Sequence, residues 1–243
     1  TGSRGEATAL RFKDVFSIIG PAMIGPSSSH TAGAARLGRV ARQLLGEAPK
    51  RADIVFYGSF ADTYKGHGTD LAVVGGLMDW ATDDPRIADS LRLAEEAGMA
   101  VSIRTGKLAA VHPNTVLIDV SGAERKCRLM GASIGGGNIE VHSVDDFDVK
   151  FTAVYPTLLV YHRDRPGMLA ELTAVLSGAG INIGYMDVDR KGRNKDALTV
   201  IEADAPIDAQ LAARVAAISD VSDVRVVDLE AGGAAPHSPA ALH

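Results

Sequence analysis

Cysteine is nearly absent from this chain of 243 residues, which has one, and tryptophan is as scarce. A single thiol cannot close an internal disulfide, so the expected compartment is a reducing one, the cytoplasm. Nor can it supply the several thiolates that hold an iron–sulfur cluster or a Cys-rich zinc site. No apolar run approaches the roughly 20 residues that cross a bilayer, and the start lacks the basic-then-apolar pattern of a secretion signal. Basic residues do not dominate: 25 Lys+Arg face 30 Asp+Glu, a net charge of −5. That balance speaks against a nucleic-acid or anionic-membrane partner. No Gly-x-Gly-x-x-Gly follows a strand pattern, which leaves a dinucleotide fold unsupported.

What is present is the composition of an ordinary globular protein, 46% hydrophobic and 23% charged, on a length that holds two small domains. Residues 1–11 read as a loose arm, followed by a short apolar segment at Val15, Phe16, Ile18 and Ile19. Leu37, Val40, Ala41, Leu44 and Leu45 recur at helical spacing after Thr31, and Gly46 stops that helix. Ile54 to Tyr57 reads as a strand, followed by a polar loop reaching Asp70. Thr69 or Asp70 is the expected cap of a helix running to Trp80. A third helix has Asp83 or Asp84 as cap, Pro85 in its first turn and Gly98 past its end. Four strand patterns follow, at Val101–Ile103, Thr115–Val120, Lys126–Met130 and Ile139–His142. This first unit is α+β or α/β.

From about Thr157 the pattern restarts: strand Leu158–Tyr161, a helix ending at Gly178 and Gly180, strands Ile181–Val188 and Ala197–Glu202, helix Ile207–Ile218, and strand Val224–Leu229. The order βαββαβ is the ferredoxin-like motif. The tail 231–243 is rich in Ala, Gly and Pro and is expected to be disordered. The expected division is therefore an arm to residue 11, a first domain over 12–152, a second over 153–230 and the tail.

Three motifs stand out. Gly25-Pro26-Ser27-Ser28-Ser29-His30-Thr31 sets hydroxyls ahead of a helix start, a place suited to a carboxylate or phosphate, although Ser and Thr also serve there simply as caps. Lys65-Gly66-His67-Gly68-Thr69-Asp70 puts an imidazole between two glycines. A ligand can approach it closely and it can take a proton near neutrality, but the same residues make a tight turn. Gly135-Gly136-Gly137-Asn138 is either a loop that lets backbone meet a ligand or an ordinary hairpin turn. Cys127 lies between Lys126 and Arg128, which could lower its pKa, yet a small buried filler is the favoured reading. His112, His142 and His162 lack partners at metal spacing and read as structural, with no metal site in this chain. In the second unit, Gly178 to Ile183 reads as a helix cap and strand, or as a loop gripping an amino acid.

Taken in order, Ile24 to Thr31, Tyr64 to Asp70 and Gly135 to Asn138 resemble the β part of iron–sulfur-dependent L-serine dehydratase, over about Phe12 to Val227. Tyr155 to Leu229 is similar to an ACT domain, and the first domain also resembles the substrate-sensing (allosteric-substrate-binding-like) domain of some phosphoglycerate dehydrogenases. The resemblance implies a 4Fe-4S cluster ligated by cysteines of an alpha partner, L-serine as substrate, and pyruvate and ammonia as products. It implies His67 as the base removing the α-proton, with His30, Ser27, Ser28, Ser29, Thr69 and Asn138 lining the site. It further implies a homodimer through the ACT domain and an amino-acid effector near Gly180, Ile181 and Asn182. The rival reading is a non-catalytic amino-acid sensor, in which both imidazoles are structural. A serine hydrolase using Ser29 and His30 is a poor fit, since adjacent residues cannot readily face each other and no Gly-x-Ser-x-Gly elbow exists.

Overall fold

The computed structural model describes residues 30–107 and 112–231. The arm, the segment at Val15–Ile19, Ser27, Ser28, Ser29 and the tail from residue 232 lie outside the described residues. The first unit runs α1 (Ala32–Leu45), β1 (Arg51–Phe56), α2 (Gly58–His67), α3 (Thr69–Leu77), a 3-10 turn (Pro85–Asp89), α4 (Ser90–Glu96), β2 (Ala100–Thr105), β3 (Thr115–Ser121), β4 (Lys126–Gly135) and β5 (Asn138–Val144). Its sheet has the order β2-β1-β3-β4-β5, with β1 and β2 parallel and the remaining pairs antiparallel.

Register explains which face is covered. Ile54, Ile118 and Leu129 are cross-strand neighbours in one buried row, while Asp53, Asp119 and Arg128 form the next row on the opposite face. The apolar face is closed by α1, whose Leu37, Val40, Ala41, Leu44 and Leu45 are all fully buried. Gly46 ends α1 in the left-handed conformation (φ 74°), as its position after the last apolar residue predicts. Beside α1 lies α3, and there the backbones touch. A Cβ on Gly38 would stand 2.2 Å from the Val73 carbonyl oxygen, and one on Gly76 2.1 Å from that of Ala35.

Three expectations are corrected here. The stretch taken as a polar loop before Asp70 is the helix α2, disguised by Gly, Ser, Asp and Thr because it buries only Phe60 fully. The cap of α3 is Gly68 (φ 67°); Thr69 is the first helical residue and the helix stops at Leu77, short of Trp80. The third helix is capped by Asp84 as expected, but it starts as a 3-10 turn and becomes α-helical only from Ser90.

The second unit runs β6 (Thr157–Arg163), α5 (Met168–Gly178), β7 (Ile183–Arg190), β8 (Asp196–Ala203), α6 (Ala209–Ala216) and β9 (Val221–Val227). Helix α6 is shorter at both ends than the expected 207–218, and β9 begins three residues earlier than the expected 224, its polar Ser222 and Asp223 having masked the strand. The antiparallel sheet order β7-β8-β6-β9 is the ferredoxin-like order of a βαββαβ unit. One face packs Leu158, Val160 and Ile201 against Leu172 and Leu176 of α5 and Leu211 and Val215 of α6. The other face turns Leu159, Leu198 and Val200 into the core of the first unit.

Carboxylates staple the two units together. Glu202 accepts from the Thr152 amide (2.8 Å), the Thr152 hydroxyl (2.8 Å) and the Ala153 amide (3.1 Å). Asp145 accepts from the Tyr161 hydroxyl at 2.7 Å and from Arg225 at 2.8 Å. Both of these donors come from the second sheet, while the Arg128 amide of β4 donates to the same carboxylate at 2.8 Å.

Two outcomes follow from this packing. Gly76→Ala forces a methyl into the backbone of α1 and is expected to cost about 3 kcal/mol, read as a lowered urea midpoint; an unchanged midpoint contradicts the close crossing. Cys127 is buried, and removal from water pushes its thiol up to about 12, the reverse of what its cationic sequence neighbours suggest. It is therefore expected to resist iodoacetamide at pH 8 in the folded chain and to react once urea unfolds it.

Candidate active site

Helix α2 carries Phe60, Tyr64 and His67 at spacings of four and three, so the three rings share one face. Phe60 meets Phe56 at the end of β1 edge to face and Tyr64 lies tilted over it, with ring centroids 5.9 Å and 5.2 Å away. That anchorage fixes the helix rotation and so the direction of His67. Left-handed Gly68 then stops α2 and allows α3 to begin at Thr69.

His30 comes from the other side, immediately before α1. Its ring meets His67 edge to face, with centroids 4.7 Å apart and an interplanar angle of 69°, and touches Phe60 at 5.4 Å. The His30 Nε2 lies 3.4 Å from the Ser59 hydroxyl, and Ser59 is itself tied into α2 through its carbonyl, which accepts from the Thr63 hydroxyl at 2.6 Å. Burial holds the His30 pKa below its ordinary value, and the neighbouring His67 lowers it further.

Near this pair and the start of α1 lie polar atoms that are buried and have no hydrogen-bond partner among the described residues: Nδ1 of His67, Oγ1 of Thr69 and Oγ of Ser133. Thr69 and Ser133 are fully buried. Ser133 fills the space that a Cβ on Gly33 would need, 2.1 Å from its hydroxyl, and so lies against the first turn of α1. The same turn is met by the β4–β5 hairpin, whose Gly135, Gly136 and Gly137 all have positive φ (106°, 60° and 80°). A Cβ on Gly137 would stand 3.4 Å from the Ala32 methyl. The start of α1, where amide N–H groups have no partner within the helix and the dipole is positive, is thus framed by His30, Ser133 and the glycine hairpin. Such a frame suits a carboxylate.

His30 and His67 are in direct contact, Thr69 follows two residues behind His67, and exposed Asn138 closes the hairpin resting on Ala32. Ser27, Ser28 and Ser29 lie outside the described residues. Ser59 and Ser133 were not singled out from sequence. The recurrence Ser59, Thr63, His67 at four-residue spacing carries the signal for Ser59 once α2 is read as a helix; Ser133 has no local signal, because its environment is made by Gly33, a hundred residues away in the chain.

In the second unit, Gly180 (φ 72°) turns the chain after α5, the Ile181 amide returns to the Leu176 carbonyl, and the Asn182 amide donates to Asp204 at 2.6 Å. His162 is a buried structural residue bonded to the Thr199 hydroxyl at 2.8 Å. His142 stands 3.3 Å from Glu140, and burial lowers its pKa. Among the described residues no three of His, Cys, Asp and Glu are grouped to hold a metal ion, and no helix is long and apolar enough to cross a membrane.

The family model for the serine dehydratase beta chain matches residues 12–143, and that for the ACT domain matches residues 156–220. The chain is 45% identical over 215 residues to the probable L-serine dehydratase beta chain of Bacillus subtilis (strain 168), covering 88% of this chain and 98% of that one. It is 32% identical over 218 residues to the L-serine dehydratase beta chain of Peptoniphilus asaccharolyticus, covering 88% and 97%. A weaker likeness, 23% over 194 residues, links it to the D-3-phosphoglycerate dehydrogenase of Synechocystis sp., covering 79% of this chain and 35% of that protein. Two family models in series over the two sheets, and relatives matched across nearly their whole length, lead to one conclusion: the chain belongs to the serine dehydratase beta-chain family and ends in an ACT domain.

Proposed function

We propose that this chain is the beta subunit of an L-serine ammonia-lyase, acting in the cytoplasm with an alpha partner. The observation that carries the reading is the His30–His67 contact beside the start of α1, where one imidazole presents a buried Nδ1 with no partner among the described residues. A base and an anion cradle are what elimination from an amino acid asks of a protein.

In this reading His67 takes the α-proton of L-serine. The C–H electron pair becomes the Cα–Cβ double bond, and the β-hydroxyl leaves with its bonding pair. The aminoacrylate product tautomerises to an imine, which water converts to pyruvate and ammonia. His30, with its lowered pKa, is neutral at pH 7 and orients rather than repels the neighbouring base. Ser27, Ser28, Ser29, Thr69 and Asn138 hold the carboxylate and amine against the start of α1.

A 4Fe-4S cluster, as the resemblance implies, would supply a Lewis acid to such a site. The residues described here do not fit as its ligands: the lone thiol is buried, and no donor cluster stands near the imidazoles. In this proposal the cluster is carried by the alpha chain. Exposed Leu169 on α5 and Met186 and Val188 on the edge strand β7 support pairing of two ACT domains, with an amino acid at Gly180, Ile181 and Asn182 as effector. The likeness to phosphoglycerate dehydrogenase favours a second reading, a sensor without chemistry. It leaves the paired imidazoles without a task.

His67→Ala, assembled with the alpha chain under anaerobic conditions, is expected to lower turnover of L-serine to pyruvate by about 10²–10⁴-fold with its fold intact by circular dichroism; full turnover contradicts the assignment. The depressed His30 pKa adds a pH dependence. The unfolded chain binds a proton that the folded site resists, so this contribution to stability is present above the ordinary imidazole range and is lost as pH falls. His30→Asn is expected to flatten the decline in melting temperature between pH 7 and pH 5; an unaltered decline contradicts it.

A further inference from the structure

At the junction of the two units lies a cavity of about 150 Å³, lined by Glu140, Lys150, Phe151, Thr152, Tyr185 and Glu202. Its walls come from both sides: Glu140 from β5, Tyr185 from β7, Glu202 from β8, and residues 150–152 from the segment joining the units. Hydrogen bonds fix those walls. Asp187 accepts from the Lys150 amide at 2.8 Å and Asp189 from the Asp148 amide at 2.9 Å. The odd-numbered face of β7, which includes Tyr185, is thereby turned toward the joining segment. The bonds from Thr152 and Ala153 to Glu202 tie the far end of that segment to β8.

The polar groups of this cavity are incompletely used. Glu202 is only 7% exposed, and all three of its bonds fall on one oxygen, Oε1. Its Oε2 accepts from none of the described residues and is left to the cavity, a costly arrangement for a carboxylate unless a donor arrives. Glu140 stands 3.3 Å from His142, whose pKa burial lowers, so that at pH 7 a neutral imidazole leaves the Glu140 charge uncompensated. Partial burial, with the carboxylates of Asp187, Glu202 and Glu140, raises the Tyr185 pKa and keeps its hydroxyl a donor. Lys150 makes no ion pair among the described residues, and Phe151 supplies a buried apolar wall.

We propose that this cavity binds a small α-amino acid as a zwitterion, with its ammonium between Glu202 Oε2 and Glu140, its carboxylate at Lys150 and its side chain against Phe151. Two carboxylates facing one ammonium call for a cationic group, and Lys150 then calls for an anionic one on the same ligand. A metal ion is disfavoured, because among the described residues no third His, Cys, Asp or Glu joins the pair. The volume, room for about five waters, admits a small amino acid and excludes a nucleotide. Gly180, Ile181 and Asn182 do not line the cavity, so this is a site separate from that turn. It joins β7 of the ACT domain to β5, two residues past Asn138 of the glycine hairpin. The site is independent of catalysis and holds equally for a sensor.

The test is equilibrium dialysis of the intact chain against radiolabelled L-serine, with L-alanine, pyruvate and ethylamine as competitors. Glu140→Gln and Lys150→Met are each expected to weaken one class of bound L-serine about tenfold or more, and Tyr185→Phe about threefold. Circular dichroism is expected to stay unchanged, because none of these side chains holds the two units together. His67→Ala and Asn182→Ala are expected to retain that class. L-Alanine is expected to displace it, whereas pyruvate, without the ammonium, and ethylamine, without the carboxylate, compete about tenfold more weakly or worse. Absence of bound L-serine at roughly 10 mM overturns the site. So does binding by the Glu140, Lys150 and Tyr185 variants equal to that of the unmodified chain, or loss of all binding in Asn182→Ala or His67→Ala alone. Displacement by pyruvate or ethylamine as effective as by L-alanine overturns the zwitterion. None of these failures touches the ammonia-lyase reading, which stands on pyruvate formed with the alpha chain.

Discussion

The backbone contact between α1 and α3 at Gly38 and Gly76 is the constraint on which the site depends. Each of these helices starts two residues after an imidazole, His30 before Ala32 and His67 before Thr69. Because the helices touch without intervening side chains, their starts lie close enough for the two rings to meet at 4.7 Å. Larger residues at the crossing would separate the helices and with them the imidazoles. On the sheet side, the missing side chain of Gly33 likewise lets Ser133 lie against the first turn of α1. Packing, carried by residues that look like spacers in the sequence, thus produces the geometry that chemistry needs.

The ACT domain is built into this arrangement instead of hanging from it. Leu159, Leu198 and Val200 enter the first core, Arg39 of α1 donates to the Leu229 carbonyl at 2.9 Å, and Asp145 and Glu202 hold opposite sides of the junction. Arg39 also pairs with Asp79 just beyond α3. Gln43 of the same helix exchanges hydrogen bonds with the Asp228 backbone at 3.1 and 2.8 Å, so the helix that starts beside His30 is fastened to the segment after β9 at more than one point.

Much of this was legible in the sequence. Strong periodicity and clean stops identified α1, the strands and the βαββαβ order, because burial patterns at those places coincide with local propensity. Helix α2 was not legible: only Phe60 is fully buried, and its polar, Gly-bearing sequence matches a loop. That error hid the common face of Phe60, Tyr64 and His67. His67 and His30 stood out through their glycine and serine neighbours, but their contact, like the burial of Ser133 beneath Gly33, depends on helix packing that no local pattern encodes. Cys127 was legible: the favoured reading as a small buried filler holds, because alternation along β4 turns Lys126 and Arg128 outward and leaves the thiol in the core.

The central claim is that this chain is one half of an active site, supplying imidazoles and an anion cradle to a partner that supplies the cluster. It is tested most directly by titrating a fixed amount of alpha chain with this chain under anaerobic conditions and following pyruvate formed from L-serine. The account predicts no pyruvate from either chain alone and a rate that rises to a plateau at one beta chain per alpha chain. Turnover by the alpha chain alone at the plateau rate, or no rise in rate as this chain is added, contradicts it.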